Sequence, residues 1–414
     1  MDLFFVVFIS LIGLIDYRIE WLSLWDEIVF IFALFFIVIN KIQNPRKARL
    51  RHHEKTVLLL LFAIIMIGVI GNILHPEYQR NSIAIFKDMV AFIKFPVLLS
   101  IMPNGLRIRI KNRKLFVGFS KMYIALLSAF AVLGYFINLN VYIDDSSKLF
   151  KTFEFYYGHC TFMVSTVVCL IAILIADAHK SNKKYIILGC IVMMMSQRTK
   201  ALFISLVIIT IHVFGVDKLS VFFKKTANNI KVRKKYVVPV IIIIGLGGWL
   251  IAKNRIHSFW QYGIYAARPA LYLIAIQIAI KYFPVGSGFG TFASSLSGKY
   301  YSGVYSKFGI SNVYGLTKDS YSYMADAFVP YIYGQFGFIG MGLYVITLIK
   351  LFKENIRSVG YINSIAAIVI LWLYLIFACS AETIFTNSTA VQFVIAFALI
   401  NALDKKNKMP VKLM

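Results

Sequence analysis

Apolar stretches of roughly 17 to 25 residues, each long enough to cross a hydrocarbon core of about 30 Å as a helix, recur along almost the whole chain. Nothing else in the sequence limits the fold as tightly. A backbone in lipid must satisfy its own hydrogen bonds, and a helix does so within one segment. With 59% hydrophobic and 15% charged residues, the composition excludes an ordinary soluble domain, a disordered chain and a disulfide-stapled module. Apolar runs and their breaks together predict helices near 3–15, 22–40, 56–75, 82–102, 115–137, 158–177, 184–196, 201–216, 236–253, 325–349, 360–378 and 388–403. The expectation is an all-α polytopic membrane protein of about twelve transmembrane helices, each about 20 residues long. These spans consume most of the 414 residues, so the chain reads as a single integral membrane domain over 1–414, and any chemistry sits between helices or in an attached loop.

A formal charge of +26 raises the question of nucleic acid. The basic residues cluster between apolar runs and not on one soluble face, so the expected surroundings are membrane lipids and not nucleic acid. Six Lys and Arg lie in 41–55, five in 103–114 and seven in 217–235. With 178–184, 350–358 and the tail after 403, these segments hold 28 of the 44 basic residues. They fall on alternate connections, which places both termini in the cytoplasm. The longest connection, 254–324, holds six basic residues in 71 positions and is expected outside the membrane, with short interfacial helices such as Pro269 to Phe283. Leu3 to Ile15 has no basic flank before it and no small-residue cleavage site after it, and is not read as a removable signal. None of Cys160, Cys169, Cys190 and Cys379 belongs to a Cys-x-x-Cys pair, and all four read as buried thiols.

One break is informative chemically. An uninterrupted helix from Tyr185 to Phe214 would be about 45 Å long, well beyond the hydrocarbon core. Ser196-Gln197-Arg198-Thr199-Lys200 divides it, which predicts two short helices meeting at a polar hairpin near the outer interface. Arg198 and Lys200 then sit near membrane depth, either as a snorkelling turn at the headgroups or as a phosphate clamp. The planar donor fork of Arg suits a diphosphate, and Lys adds a point charge.

A second cluster opens the outer loop: Arg255, His257, Trp260, Tyr262 and Tyr265, then Arg268 before Pro269. Proline at the start of a helix would put Arg268 at a helix N-terminus, a location favourable to anions. His257 reads first as an interfacial residue and second as a base. Pro284 to Gly290 is neither a Walker loop nor a Rossmann fingerprint, and predicts a sharp turn. Between 298 and 323, Tyr300, Tyr301, Tyr305, Tyr314, Tyr321 and Tyr323 suit an interfacial belt or platforms for sugar rings.

Asp16, Glu20, Asp26, Glu77, Asp144, Asp145, Glu154, Asp319, Asp326 and Glu382 are the acidic residues expected outside, most of them solvated. Asp326 differs because it opens the next apolar helix, where a carboxylate can cap the helix or accept a proton. No spacing of His, Cys and carboxylates suits a metal site, and no cofactor is expected.

Three stretches, in this order, resemble the O-antigen polymerase and O-antigen ligase superfamily of bacterial envelope glycan assembly. Ser196 to Leu202 resembles its Ser/Thr-x-Arg-x-Ala turn. Arg268 to Tyr272 with Pro284 to Phe292 resembles its Arg-containing helix and Pro-Leu-x-Gly-x-Gly turn, and Asp326 to Gly340 resembles the helix that closes its long periplasmic loop. The likeness covers roughly 180–345 by motif and the remainder by hydropathy. It implies a GT-C-like fold and metal-independent glycosyl transfer from an undecaprenyl-diphosphate-linked oligosaccharide at the outer face of the bacterial cytoplasmic membrane. The product would be a capsule, exopolysaccharide or O-antigen, made beside flippase and chain-length partners. Arg198 and Arg268 would neutralise the diphosphate, Asp326 would orient or deprotonate the acceptor, and Lys200, Arg255, His257, Tyr262, Tyr321 and Tyr323 would bind substrate. Ligases of the family usually carry His where Asp326 stands, which favours a Wzy-type polymerase. A ligase remains the nearest alternative, and a lipid-linked oligosaccharide flippase the alternative from another class.

Overall fold

The computed structural model describes residues 2–18, 25–43, 51–105, 112–137, 139–143, 151–214, 221, 223–225, 228 and 238–407. These are mostly helical, with almost no sheet. The first eight helices are α1 (Asp2–Arg18), α2 (Trp25–Gln43), α3 (His52–Leu74), α4 (Ser82–Gly105), α5 (Arg113–Phe136), α6 (Cys160–Asp177), α7 (Asn182–Met195) and α8 (Thr199–Phe214). There follow α9 (Val238–Gln261), α10 (Ala267–Lys281), the short α11 (Ser295–Lys299) and α12 (Gly303–Lys307), and then α13 (Phe328–Ser358), α14 (Ile362–Ala378) and α15 (Thr389–Asn407). Between α5 and α6 lies a small antiparallel hairpin of β1 (Tyr142–Ile143) and β2 (Thr152–Phe153), which hydropathy alone does not reveal.

Each of the twelve predicted apolar segments is a helix. Two helices run more than a turn and a half beyond their expected ends. Helix α9 continues to Gln261 and α13 to Ser358, and neither 254–262 nor 350–359 contains a Gly or Pro to stop them. Hydropathy marks where the apolar stretch ends, and the helix can run on past it. The long connection therefore starts after Gln261, and it carries α10, α11 and α12. Much of the basic sequence in 41–55, 103–114 and 217–235 lies outside the described residues, as do Glu20, Asp144, Asp145 and the side chains of Asp16 and Arg255.

Among the described residues, α3, α5, α6 and α13 are long and apolar enough to cross a membrane, and α1, α8, α14 and α15 contain shorter apolar segments. Helix α3 shows why the bundle suits lipid. Val57, Leu61, Ile64, Gly68 and Gly71 form its buried stripe. The opposite face carries Leu59, Phe62, Met66, Ile70 and Ile73, all exposed. A helix in water places polar residues there, so an apolar outer face calls for an apolar surrounding.

Helix α6 forms the centre, buried almost throughout and packed against α1, α5, α7, α14 and α15. Helix α13 packs along α3 and α10 on the other side. Connections meet at two opposite sets of helix ends. In one set Arg113 Nε donates to Asp177 Oδ1 at 2.5 Å, Lys121 meets Ser181, Lys224 donates to the Ile356 carbonyl, and Asp404 accepts from the Gly360 and Tyr361 amides. In the other, segments 72–81, 154–160, 196–200, 262–326 and 379–387 meet. These are the two alternating sets into which the basic residues divide the loops.

Candidate functional site

Helix α7 ends at Met195, and Gln197 turns the chain with φ of +49°. Arg198 then opens α8, its carbonyl accepting from the amides of Ala201 and Leu202. This is the predicted polar hairpin between two short helices. Its Arg198 side chain reaches the start of α6, where Nε–H donates to Cys160 Sγ and Nη2 lies 3.3 Å from His159 Nε2. Lys200, in the first turn of α8, points inward and is only 8% exposed. Its Nζ lies 2.5 Å from Glu382 Oε1, in the turn between α14 and α15.

Arg268 occupies the first turn of α10, as the following proline predicts. Its Nη2 donates to Asp326 Oδ2 at 3.0 Å and to the Ala381 carbonyl at 3.4 Å. Asp326 precedes α13 but does not cap it. The N-cap is Ala327, which has no side-chain cap, and the carboxylate turns to Arg268 instead. Backbone bonds stitch the segments together: the Phe328 amide donates to the Cys379 carbonyl, and the Thr383 amide to Ala325. Glu382 and Asp326 are thereby brought into one field.

The electrostatics agree. Burial raises the Asp326 carboxyl above its ordinary range, Arg268 pulls it back, Glu382 pushes it up again and Arg198 lowers it. Burial, with Arg198 and Lys200 adding to it, lowers His159 to about 4 and keeps its ring neutral. Burial also raises Glu154, against the pull of Arg198. Arg198, Lys200 and Arg268, from two separate sequence motifs, thus share one neighbourhood with Asp326. Glu382 and His159 complete it. Among the described residues, no group of three His, Cys, Asp or Glu is placed to hold a metal ion.

Other residues singled out in the sequence stand apart. His257 lies exposed in the last turn of α9, and Tyr262 and Tyr265 are 63% and 83% exposed. Tyr321 and Tyr323 are half-exposed just before Asp326, with the Asp326 amide donating to the Tyr323 carbonyl. Tyr301 and Tyr305 serve the loop itself: Tyr301 donates to the Leu316 carbonyl, and Tyr305 is buried against Ser297 and the Ala293 amide. The platform of six tyrosines narrows to the exposed ones.

The glycine-rich turn is a structural knot. Gly286, Gly288 and Gly290 all take positive φ. Every amide from Gly286 to Gly290 is used internally, by the carbonyls of Tyr282, Gly334 and Gln335, by Asn72 Oδ1 and by Asp88 Oδ2. With no donor left over, the turn is no phosphate cradle. Helix α13 departs from helical geometry at Gly337, and the Gly334 and Gln335 carbonyls just before that kink accept from the turn. Sequence reasoning did not single out Asp88, although an ionisable residue in an apolar run is itself a signal.

No family model matches the chain, and comparison with the curated proteins returns no match.

Proposed function

We propose that this protein polymerises lipid-linked oligosaccharide repeat units into a capsule, exopolysaccharide or O-antigen at the outer face of the bacterial cytoplasmic membrane. In this reading about twelve helices span the bilayer in a GT-C-like arrangement, with both termini cytoplasmic and the Arg198, Arg268 and Asp326 end facing outward. The observation that carries it is the convergence of Arg198, Lys200, Arg268 and Asp326 with Glu382 at one end of an apolar bundle.

The acceptor hydroxyl attacks the anomeric carbon of the donor sugar. The new C–O bond forms as the bond to the diphosphate breaks, and undecaprenyl diphosphate departs. Arg198 stabilises the negative charge that develops on the leaving group. Asp326, aimed by Arg268, takes the proton of the acceptor hydroxyl; burial has raised its affinity for that proton. Lys200, held by Glu382, adds positive potential to the same end.

The test is made in vitro: purified protein is incubated with a lipid-linked repeat unit, without nucleotide sugar and with a chelator present, and products are resolved by length. A ladder is expected. Its absence with a verified donor and intact protein would overturn the reading and move the test to flipping in proteoliposomes.

A further inference from the structure

Asn72 lies nineteen residues beyond His53 on α3, and Glu354 lies nineteen beyond Gln335 on α13. His53 and Glu354 meet at 3.6 Å. Asn72 and Gln335 are joined through the glycine-rich turn, where the Gly288 amide donates to the Gln335 carbonyl and the Phe289 amide to Asn72 Oδ1. At helical rise both intervals are about 28 Å, close to the thickness of a hydrocarbon core. The turn therefore marks one boundary of the apolar layer, and α10, which ends just before it, reaches that boundary at Lys281.

The side chains at this level suit a boundary. Ile276, Ile280 and Phe283 follow one another at helical spacing and are 45%, 63% and 66% exposed, while Leu271, Ile274, Ala275 and Ile278 bury the opposite face of α10. Beside this stripe a cavity of about 660 Å³ opens between the ends of α10 and α12, lined by Gln277, Ile280, Lys281, Lys307, Phe308 and Gly309. Lys281 Nζ lies over the rings of Tyr282 and Phe308, 5.6 and 5.3 Å from their centroids. Lys200 and Arg268 are each paired with a carboxylate, but among the described residues neither Lys281 nor Lys307 is. Over 254–324 Asp319 is the sole acid against six basic residues, so the cavity lies in a loop short of negative charge.

An acidic glycan and a lipid phosphate both carry the charge these lysines lack. A hydrated glycan would leave Ile280 and Phe283 in water, whereas a phospholipid covers them with its chains and sets its phosphate at the depth of the lysines. We infer that the cavity between α10 and α12 holds the headgroup of an anionic phospholipid from the leaflet at this boundary. Its phosphate faces Lys281 and Lys307, and its chains run along Ile276, Ile280 and Phe283. The site lies at the opposite end of α10 from Arg268, thirteen residues or about 20 Å away. It does not depend on the reaction proposed above and needs only a bilayer around the bundle.

Ser306→Cys, at an exposed position beside Lys307, takes a fluorescent label, and the four native cysteines are buried. Labelled full-length protein in phosphatidylcholine nanodiscs receives either phosphatidylglycerol or phosphatidylcholine that carries a quencher on its chain. Phosphatidylglycerol is expected to quench at a mole fraction about tenfold lower or less. Lys281→Gln and Lys307→Gln should each cut that preference about fivefold, the worth of one lysine near a membrane surface, while Lys307→Arg should stay within a few-fold. Ile280→Ser should weaken both lipids alike and keep their ratio. All these side chains are exposed, so each variant should melt with the unaltered protein. Equal quenching by the two lipids would overturn the inference. So would an undiminished preference in the double variant Lys281→Gln and Lys307→Gln, the result for lysines that serve only their helix ends. Displacement of the quenching lipid by soluble oligogalacturonate would overturn it in favour of the acidic glycan. None of these results touches the polymerase test, because the proposed chemistry uses neither lysine.

Discussion

Asp88 and Asp326 are two carboxylates at the same end of the bundle, each beside a motif that drew notice in the sequence, and their surroundings are opposite. Asp88 is 2% exposed, accepts the Gly290 amide at 2.9 Å and the Tyr331 hydroxyl at 3.3 Å, and meets only groups of the fold. Asp326 is part-exposed and accepts from a guanidinium that shares its field with Arg198 and Glu382. The first carboxylate has spent its capacity on backbone and phenol, and the second keeps a face toward the open side of a charged cluster. The two are nevertheless linked. The knot that Asp88 pins lies between the end of α10 and the first third of α13, and those helices carry Arg268 and lead from Asp326. The glycine-rich motif therefore sets the relative placement of the acid and its partner without touching substrate.

The sharpest way to break this comparison is at Gly288. A Cβ there would come within 2.5 Å of the Asn72 amide, and the backbone stands at φ of +93°. Gly288→Ala should lose more than about 3 kcal/mol, enough to prevent accumulation of folded protein. A thermal melt matching that of the unaltered protein would deny the knot its role. Arg198→Ala and Asp326→Asn should do the reverse: membrane insertion and melting preserved, polymer yield down by about 10² to 10³. Wild-type yields from both inserted variants would sink the functional reading. Asp88→Ala should cost about 1–3 kcal/mol for the Tyr331 hydroxyl it orphans, because the Gly290 amide keeps Gln335 Oε1 at 3.2 Å, and should alter activity only in proportion to the folded fraction. Stable but inactive Asp88→Ala protein would mean that Asp88 also belongs to the chemistry.

The helices were legible because lipid leaves the backbone one economical solution, and periodic apolar runs reveal it. The break at Ser196 to Lys200 and the proline after Arg268 announced two cationic positions, since length and φ restrictions act locally. Glu382 stood in the sequence among outer carboxylates expected to be mostly solvated, whereas it pairs with Lys200, and His159 was not singled out. Glu382 lies in a short connection and His159 at the N-cap of α6, neither with a motif of its own, and only tertiary packing of the turn at 379–383 and the start of α6 brings them to Lys200 and Arg198. A signal for Glu382 did exist: a single carboxylate between two apolar helices is costly unless paired. The same signal marks Asp26 and Lys94, which form a buried ion pair between α2 and α4. The exposed and buried tyrosines of 298–323 could not be told apart in sequence, because their alternation follows the fold of two five-residue helices and has no period.

The smallest expected effect tests the two carboxylates by proton. Asp326 must be ionised to accept a proton, and burial has raised its pKa despite Arg268, so activity should fall on acidification at a higher pH than for a solvated carboxylate. Arg268→Ala removes the largest lowering influence and should shift this acid limb further upward in whatever activity remains. Asp326→Asn should abolish the limb and leave a flat residual rate across the same range. Stability should move the other way. A carboxyl that binds its proton more tightly folded than unfolded gains stability as pH falls through its folded pKa, so unaltered protein should gain on Asp326→Asn in melting temperature as the solution is acidified. Measured together, an activity loss and a relative stability gain over one pH interval would assign both to the same carboxylate. A limb unchanged in Asp326→Asn would assign it elsewhere, with Glu382 the next carboxylate in that field.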